Sequence, residues 1–145
     1  MSAEEIRACE QRWFEVMNKG KAAVIAALGE FFAPDFVFHS PMGTDLHGLK
    51  ELEQFFSRLY DAFPDIQYTL NDLVVEGDKA AVHWTWTGTH SGAFMNIPPT
   101  NKKMTFWELE IHRFIGGKQV ECWARMDTLS MMQQLGVIPT PGKQK

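Results

Sequence analysis

Cysteine is scarce in this chain of 145 residues: only Cys9 and Cys122, with no paired spacing. That gives no basis for a disulfide framework and fits a reduced compartment. Long hydrophobic runs are absent as well. The N-terminus carries Glu4, Glu5 and Arg7 where a signal peptide would have a basic region and an apolar run. No membrane association and a cytoplasmic location are therefore expected. Basic clusters are limited to Lys102-Lys103 and the tail around Lys143 and Lys145, and the net charge is −4. No nucleic-acid footprint results. The five histidines contain no His-x-His or His-x-x-x-His, and neither a Gly-x-Ser-x-Gly nor a glycine-rich phosphate loop occurs. No metal and no cofactor are expected from these patterns.

What the chain has is aromatic mass. It holds 11 Phe and 5 Trp, and 45% of its residues are hydrophobic, enough for a full core. Aromatics at this density suit a bulky core or an aromatic-lined pocket. The length fits one domain, 1–145, with 137–145 expected as a flexible tail.

Ile6, Cys9, Trp13 and Met17 recur at helical spacing, with Phe14 adjacent, and Gly20 ends that helix. A second helix spans 22–32 and stops at Ala33-Pro34. Asp35 to Ser40 alternates as a strand. Leu49, Leu52, Phe55, Phe56, Leu59 and Phe63 form one stripe of a third helix, closed by Pro64. The period then changes to two. Strands at 66–76 and 80–90 turn at Gly77-Asp78, and strands at 104–114 and 118–127 turn at Gly116-Gly117. Between these hairpins lies a long Gly- and Pro-rich connection, 88–103, of a kind that is often functional. A short helix, 129–135, ends at Gly136.

Helices followed by consecutive antiparallel strands is α+β order. A curved antiparallel sheet wrapped around the N-terminal helices leaves a cone-shaped cavity. Val82, Trp84 and Trp86 share one strand face, and Trp107, Leu109 and Ile111 share one face of the next. Both sheet faces need cover, so a homodimer through the sheet is expected. Which face points inward is open.

Alternation places Glu121, Trp123, Arg125 and Asp127 on one face of the last strand. That is how a proton-transfer enzyme would present an acid/base group, and also how a buried ion pair would look. From the residues alone, Asp127 reads as the cap of the helix that begins near Thr128. His39 and His112 are candidate hydrogen-bond donors to a developing oxyanion. His112 shares its face with Glu108 and Glu110, so a satisfied His–Glu pair is its alternative. Cys9 reads as core, and His83 and His90 as structural. Trp13, Phe14, Phe55, Leu59 and Trp123 are candidate pocket lining, with core packing as the alternative for most of them.

Several segments in register resemble SnoaL-like proteins, the polyketide cyclase branch of the NTF2-like superfamily. They are Asp35 to Pro41, the loop Gly88 to Lys102, Arg113-Phe114 with Gly117-Lys118, and Glu121-Cys122-Trp123 through Asp127 to Gln133-Gln134-Leu135-Gly136. The resemblance covers nearly the whole chain. It implies an NTF2-like cone-shaped α+β barrel, usually a homodimer. It also implies cofactor-independent acid/base catalysis on a small apolar or aromatic carbonyl compound, as in intramolecular aldol condensation, with Asp127 at the catalytic aspartate position. An aldol closure needs a base beside a carbonyl and an acid for the new alkoxide. One carboxyl can serve both if an apolar wall raises its pKa. Arg125, two residues away, could bind substrate or pair structurally, and as an ion-pair partner it would lower that pKa. Asn96 and Asn101 stand where the family commonly has glycine, which implies a differently posed loop. Two alternatives stay open. One is an epoxide-opening hydrolase using Arg125 and Asp127 with Glu108 or Glu110. The other is a non-catalytic ligand-binding or dimerisation domain.

Overall fold

The structure, a computed structural model, describes residues 1–142. Residues 143–145 of the expected tail lie outside the described residues. The elements in order are α1 (Ala3–Met17), α2 (Lys21–Phe31), β1 (Phe32–His39), β2 (Asp45–His47), α3 (Gly48–Ala62), β3 (Gln67–Glu76), β4 (Lys79–Thr89), β5 (Lys103–Ile115), β6 (Lys118–Met126) and α4 (Thr128–Gln134). None of the described helices is long and apolar enough to cross a membrane.

Local chemistry explains the helix ends. Ser2 Oγ accepts from Glu5 N, and the Glu5 carboxylate accepts from Ser2 N, each at 3.1 Å. This reciprocal capping box satisfies two donors that the first turn of α1 leaves free. Ile6, Cys9, Trp13 and Met17 are all buried along α1 as the spacing predicts. Glu10 is buried among them at 0% exposure, which no apolar stripe explains. On α3, Leu52, Phe56, Leu59 and Tyr60 are buried. Burying each such side chain stabilises the fold by roughly 1.5–3 kcal/mol.

The sheet has six strands in the order β2-β1-β6-β5-β4-β3. It is α+β as expected, with two refinements. Its edge strands β2 and β3 do not meet, so the cone is unclosed. It is also mixed, because β1 pairs parallel to β6 while every other pair is antiparallel. β1 begins directly after α2, earlier than the proline suggested. Pro34 falls where the β1–β6 register is irregular, between Phe32 and Val37. There its missing N–H costs no ladder bond. Further register shifts at Leu70/Asp72 and Arg113/Phe114 bend the sheet around the helices.

The long loop is pinned from both sides. His90 N donates to Lys102 O at 2.9 Å and Asn101 N donates to His90 O at 2.8 Å. Ser91 N and Gly92 N cap the end of α3 at Ala62 O. A Cβ on Gly92 would stand 2.3 Å from Asp61 O, so this approach requires glycine. Asn96 and Asn101 have φ of 62° and 58°. Asparagine tolerates this left-handed region, so both keep the backbone that a glycine would supply.

Strand β5 carries polar residues on the sheet's inner face. Its inward face carries Met104, Phe106, Glu108, His112 and Phe114, all buried, with Glu110 half-buried. Its outward face carries Trp107, Leu109 and Ile111, exposed by 43, 52 and 46%. The usual arrangement, apolar inside and polar outside, is reversed along this stretch. A one-residue slip would exchange the two sets. The flanking register, Trp84↔Glu108 and Ala80↔His112, fixes the polar set inside.

Candidate active site

A cavity lies between the inner sheet face and the helices, with about 90 Å³ of free space. Trp13 and Phe14 line it from α1, Phe55 and Leu59 from α3, and Tyr68, Trp84 and Trp86 from β3 and β4. Four of the five expected pocket residues, all but Trp123, are therefore there. The wall is apolar and largely aromatic, apart from Gln119 and Cys122 on β6 and the row Glu108, Glu110 and His112 along β5. Among the described residues no Arg or Lys lines the cavity.

His112 holds both ring nitrogens on carboxylates. Nδ1 bonds Glu10 from α1, and Nε2 bonds Glu110 Oε1 at 2.7 Å. A doubly protonated imidazolium donates to both. Burial acts against that charge, but the Glu10 carboxylate and Cys122 outweigh it, and the His112 pKa stands well above the usual histidine range. Glu108 goes the same way. Burial, and then the charge of Glu110, hold its pKa well above the usual carboxylate range, so it keeps a proton. The result is a neutral carboxyl at Glu108, next along the strand face to Glu110, which has the His112 cation behind it. Such separated environments are how two carboxyl groups take acid and base roles.

Both raised groups make stability fall as pH rises. In Glu108 the folded value exceeds the unfolded one of about 4.3. Its contribution is complete below that value and is lost as pH climbs toward the folded pKa. Glu108→Gln removes this loss. Between about pH 5 and about pH 8 the variant's unfolding free energy is expected to fall less than that of the wild type. Urea titrations measure it; parallel pH slopes would show that Glu108 is not held neutral.

The donor atoms of Glu110, His112 and Cys122 lie within 4.8 Å of one another. Glu110 and His112 come from β5 and Cys122 from β6, paired across the ladder with His112, so no sequence spacing announces the trio. An ion there would have to displace protons that the site holds: burial pushes the Cys122 thiol up to about 12, and His112 is held protonated.

The model of the SnoaL-like polyketide cyclase family matches residues 7–135. The chain belongs to the SnoaL-like polyketide cyclase family. Solved structures agree. AclR from Streptomyces galilaeus, a proposed hydroxylase, superposes with a TM-score of 0.83 at 26% identity, covering 98% of this chain and 87% of that one. Wild-type IdmH from Streptomyces antibioticus, a proposed polyketide cyclase, has a TM-score of 0.71 at 28% identity, covering 87% and 97%. TsrD from Streptomyces laurentii, with a TM-score of 0.84 at 24% identity over 95% and 99%, shares the fold. Comparison with curated proteins by sequence found no match.

In this SnoaL-like chain Asp127 is not among the residues lining the cavity. It is the N-cap of α4, and its Oδ1 accepts from Ser130 N at 3.0 Å. Trp123 and Arg125 are corrected from the pocket to the outer face. Cys122 and Ala124 are the buried, inward residues of β6, so their odd-numbered neighbours point away. Trp123 is 37% exposed. Arg125 hydrogen-bonds only its neighbour's carbonyl, Ala124 O at 2.7 Å, and makes no ion pair among the described residues. The Asp-Arg-carboxylate arrangement required by the hydrolase alternative is therefore not formed, although Glu108 and Glu110 do face inward.

His39 also stands apart from the cavity. Its Nδ1 meets Asp45 at 3.1 Å and its Nε2 meets Glu121 at 2.7 Å, and it stacks on Trp123. Arg113 reaches the other Glu121 oxygen at 3.0 Å. The hydrogen bond to Glu121 raises the His39 pKa and lowers that of Glu121. With both nitrogens committed, His39 has no donor left for an oxyanion. Glu10 was not anticipated. A signal existed, since Ile6, Glu10 and Trp13 are spaced four and three apart, which puts Glu10 on the stripe that faces the core.

Proposed function

We propose that this protein is an acid/base enzyme acting on a small apolar, aromatic carbonyl compound, closing a ring by intramolecular aldol condensation. The observation that carries this reading is the Glu108–Glu110–His112 row inside a largely aromatic, apolar cavity. Glu110 takes the proton next to a carbonyl, breaking a C–H bond. The resulting enolate carbon forms the new C–C bond to a second carbonyl. Glu108 gives its proton to the alkoxide, and transfer from Glu110 to Glu108 restores the start. No electrons enter or leave. His112 Nε2 holds Glu110 Oε1 at 2.7 Å, and Glu10 on the far side of the ring shares the imidazolium. Among the described residues the one cation on the wall, His112, has both ring nitrogens taken by carboxylates, which favours neutral substrates.

The test needs no knowledge of the natural substrate. In deuterated water, the protein is expected to speed exchange of the α-protons of acetophenone, followed by NMR. An exchange rate equal to that of buffer rules the reading out.

The outer face supports a homodimer through the sheet. Val74, Ala81, Ile111 and Trp123 form one continuous row across β3, β4, β5 and β6. Three of them are large and exposed by 37 to 59%, an apolar band that soluble monomers rarely show. Ile111→Glu is expected to convert a dimer into a monomer in light scattering. A monomeric wild type refutes the dimer.

A further inference from the structure

Two buried donors on the cavity wall, Trp84 Nε1 and Tyr68 Oη, make no hydrogen bond among the described residues. Tyr68 has Tyr60 beside it, whose own hydroxyl donates to Met17 O at 2.6 Å. Trp84 is only 7% exposed and Tyr68 only 5%. Leaving such a group unsatisfied is costly, and a folded protein carries few of them. Here two occur in one cavity, on adjacent strands, with their rings 5.1 Å apart. Phe14 packs edge-on against both. Trp84 is also the direct cross-strand partner of Glu108. An indole N–H can only donate. The Tyr68 hydroxyl keeps its proton, since burial holds its pKa well above the usual phenol range.

We propose that Trp84 Nε1–H and Tyr68 Oη–H anchor the substrate through a carbonyl oxygen, whose growing negative charge they receive when the neighbouring proton is removed. This rests on the acid/base reading and deepens it. It names the recognition element, a hydrogen-bond acceptor on an aromatic body, and the residues that select it. An unpartnered donor discriminates in one direction. It gains from a carbonyl and gains nothing from a hydrocarbon of the same shape, so the pair selects acetophenone over ethylbenzene.

The experiment compares the binding of these two molecules and records the infrared carbonyl stretch of isotope-labelled acetophenone on the protein. In the wild type the bound band is expected at lower frequency than in an apolar solvent. Trp84→Phe and Tyr68→Phe keep the rings and remove the donors. Each is expected to weaken acetophenone about tenfold, the value of one hydrogen bond near 1.4 kcal/mol, to leave ethylbenzene unchanged and to move the band back. Tyr68→Phe deletes a single oxygen and serves if Trp84→Phe does not fold. Failure of acetophenone to bind, an unshifted band, or a shift that both variants retain overturns the proposal. So does an equal loss of ethylbenzene, which would mean packing alone. Neither readout needs Glu110. A shifted band without α-proton exchange would reject the acid/base reading and leave the anchor standing.

Discussion

Glu110→Gln is expected to lower α-proton exchange and ring closure about 10²–10⁴-fold, the usual contribution of a positioned general base, while the protein stays folded. The amide is nearly isosteric, and its oxygen can still accept from His112 Nε2, now 2.7 Å from Glu110 Oε1. What it lacks is basicity. The contrasting variant is Asp127→Asn. Asparagine caps helices about as well as aspartate, so α4 should hold and activity should persist. This pair separates the carboxyl inside the cavity from the one that family resemblance points to. Should Asp127→Asn abolish exchange while Glu110→Gln keeps it, the base is Asp127 and the assignment here is wrong. The pH profile gives a second check. Activity needs Glu108 protonated, so its alkaline limb should fall above the ordinary carboxylate range, as the raised Glu108 pKa requires.

The fold was legible because its signals are local. Stripes on α1 and α3, the turns at Gly77-Asp78 and Gly116-Gly117, and the change of period after Pro64 each need only a few neighbouring residues. Family resemblance then placed the elements in a cone. The site was less legible because it depends on which sheet face is inside. Alternation along β6 correctly groups Trp123 with Arg125, yet cannot say whether that group or Cys122 with Ala124 faces the helices. The apolar residues of β5 mislead in the same way: Trp107, Leu109 and Ile111 look like core and are the outer face. Trp84 and Trp86 on β4 could have broken the tie. They are buried, and their partners across the ladder are Glu108 and Phe106, but that register is a long-range fact absent from the string. Glu10 needed still more, since its partner His112 lies 102 residues away.

Removing the carboxylate of Glu10 should be the most damaging single change to stability. Glu10→Leu is expected to cost about 3–5 kcal/mol, the price of stranding one member of a buried ion pair. His112 is only 3% exposed, so its imidazolium cannot turn to water. The loss should depend on pH in a defined direction. A histidine whose folded pKa is raised contributes stability that is complete below its unfolded value of about 6.5 and fades as pH rises through the folded one. The Glu10 carboxylate is the largest of the influences that raise it. Deleting Glu10 therefore hurts most at about pH 6 and progressively less in alkaline solution. Replacing both residues by leucine removes the stranded charge together with its partner. Such apolar substitution of a buried pair is often neutral, but here it also takes His112 from half-buried Glu110, so the double variant should recover part of the stability without recovering activity. Urea unfolding of the wild type, the two single variants and the double one gives the coupling energy directly. Additive losses would mean that Glu10 and His112 do not act as a pair.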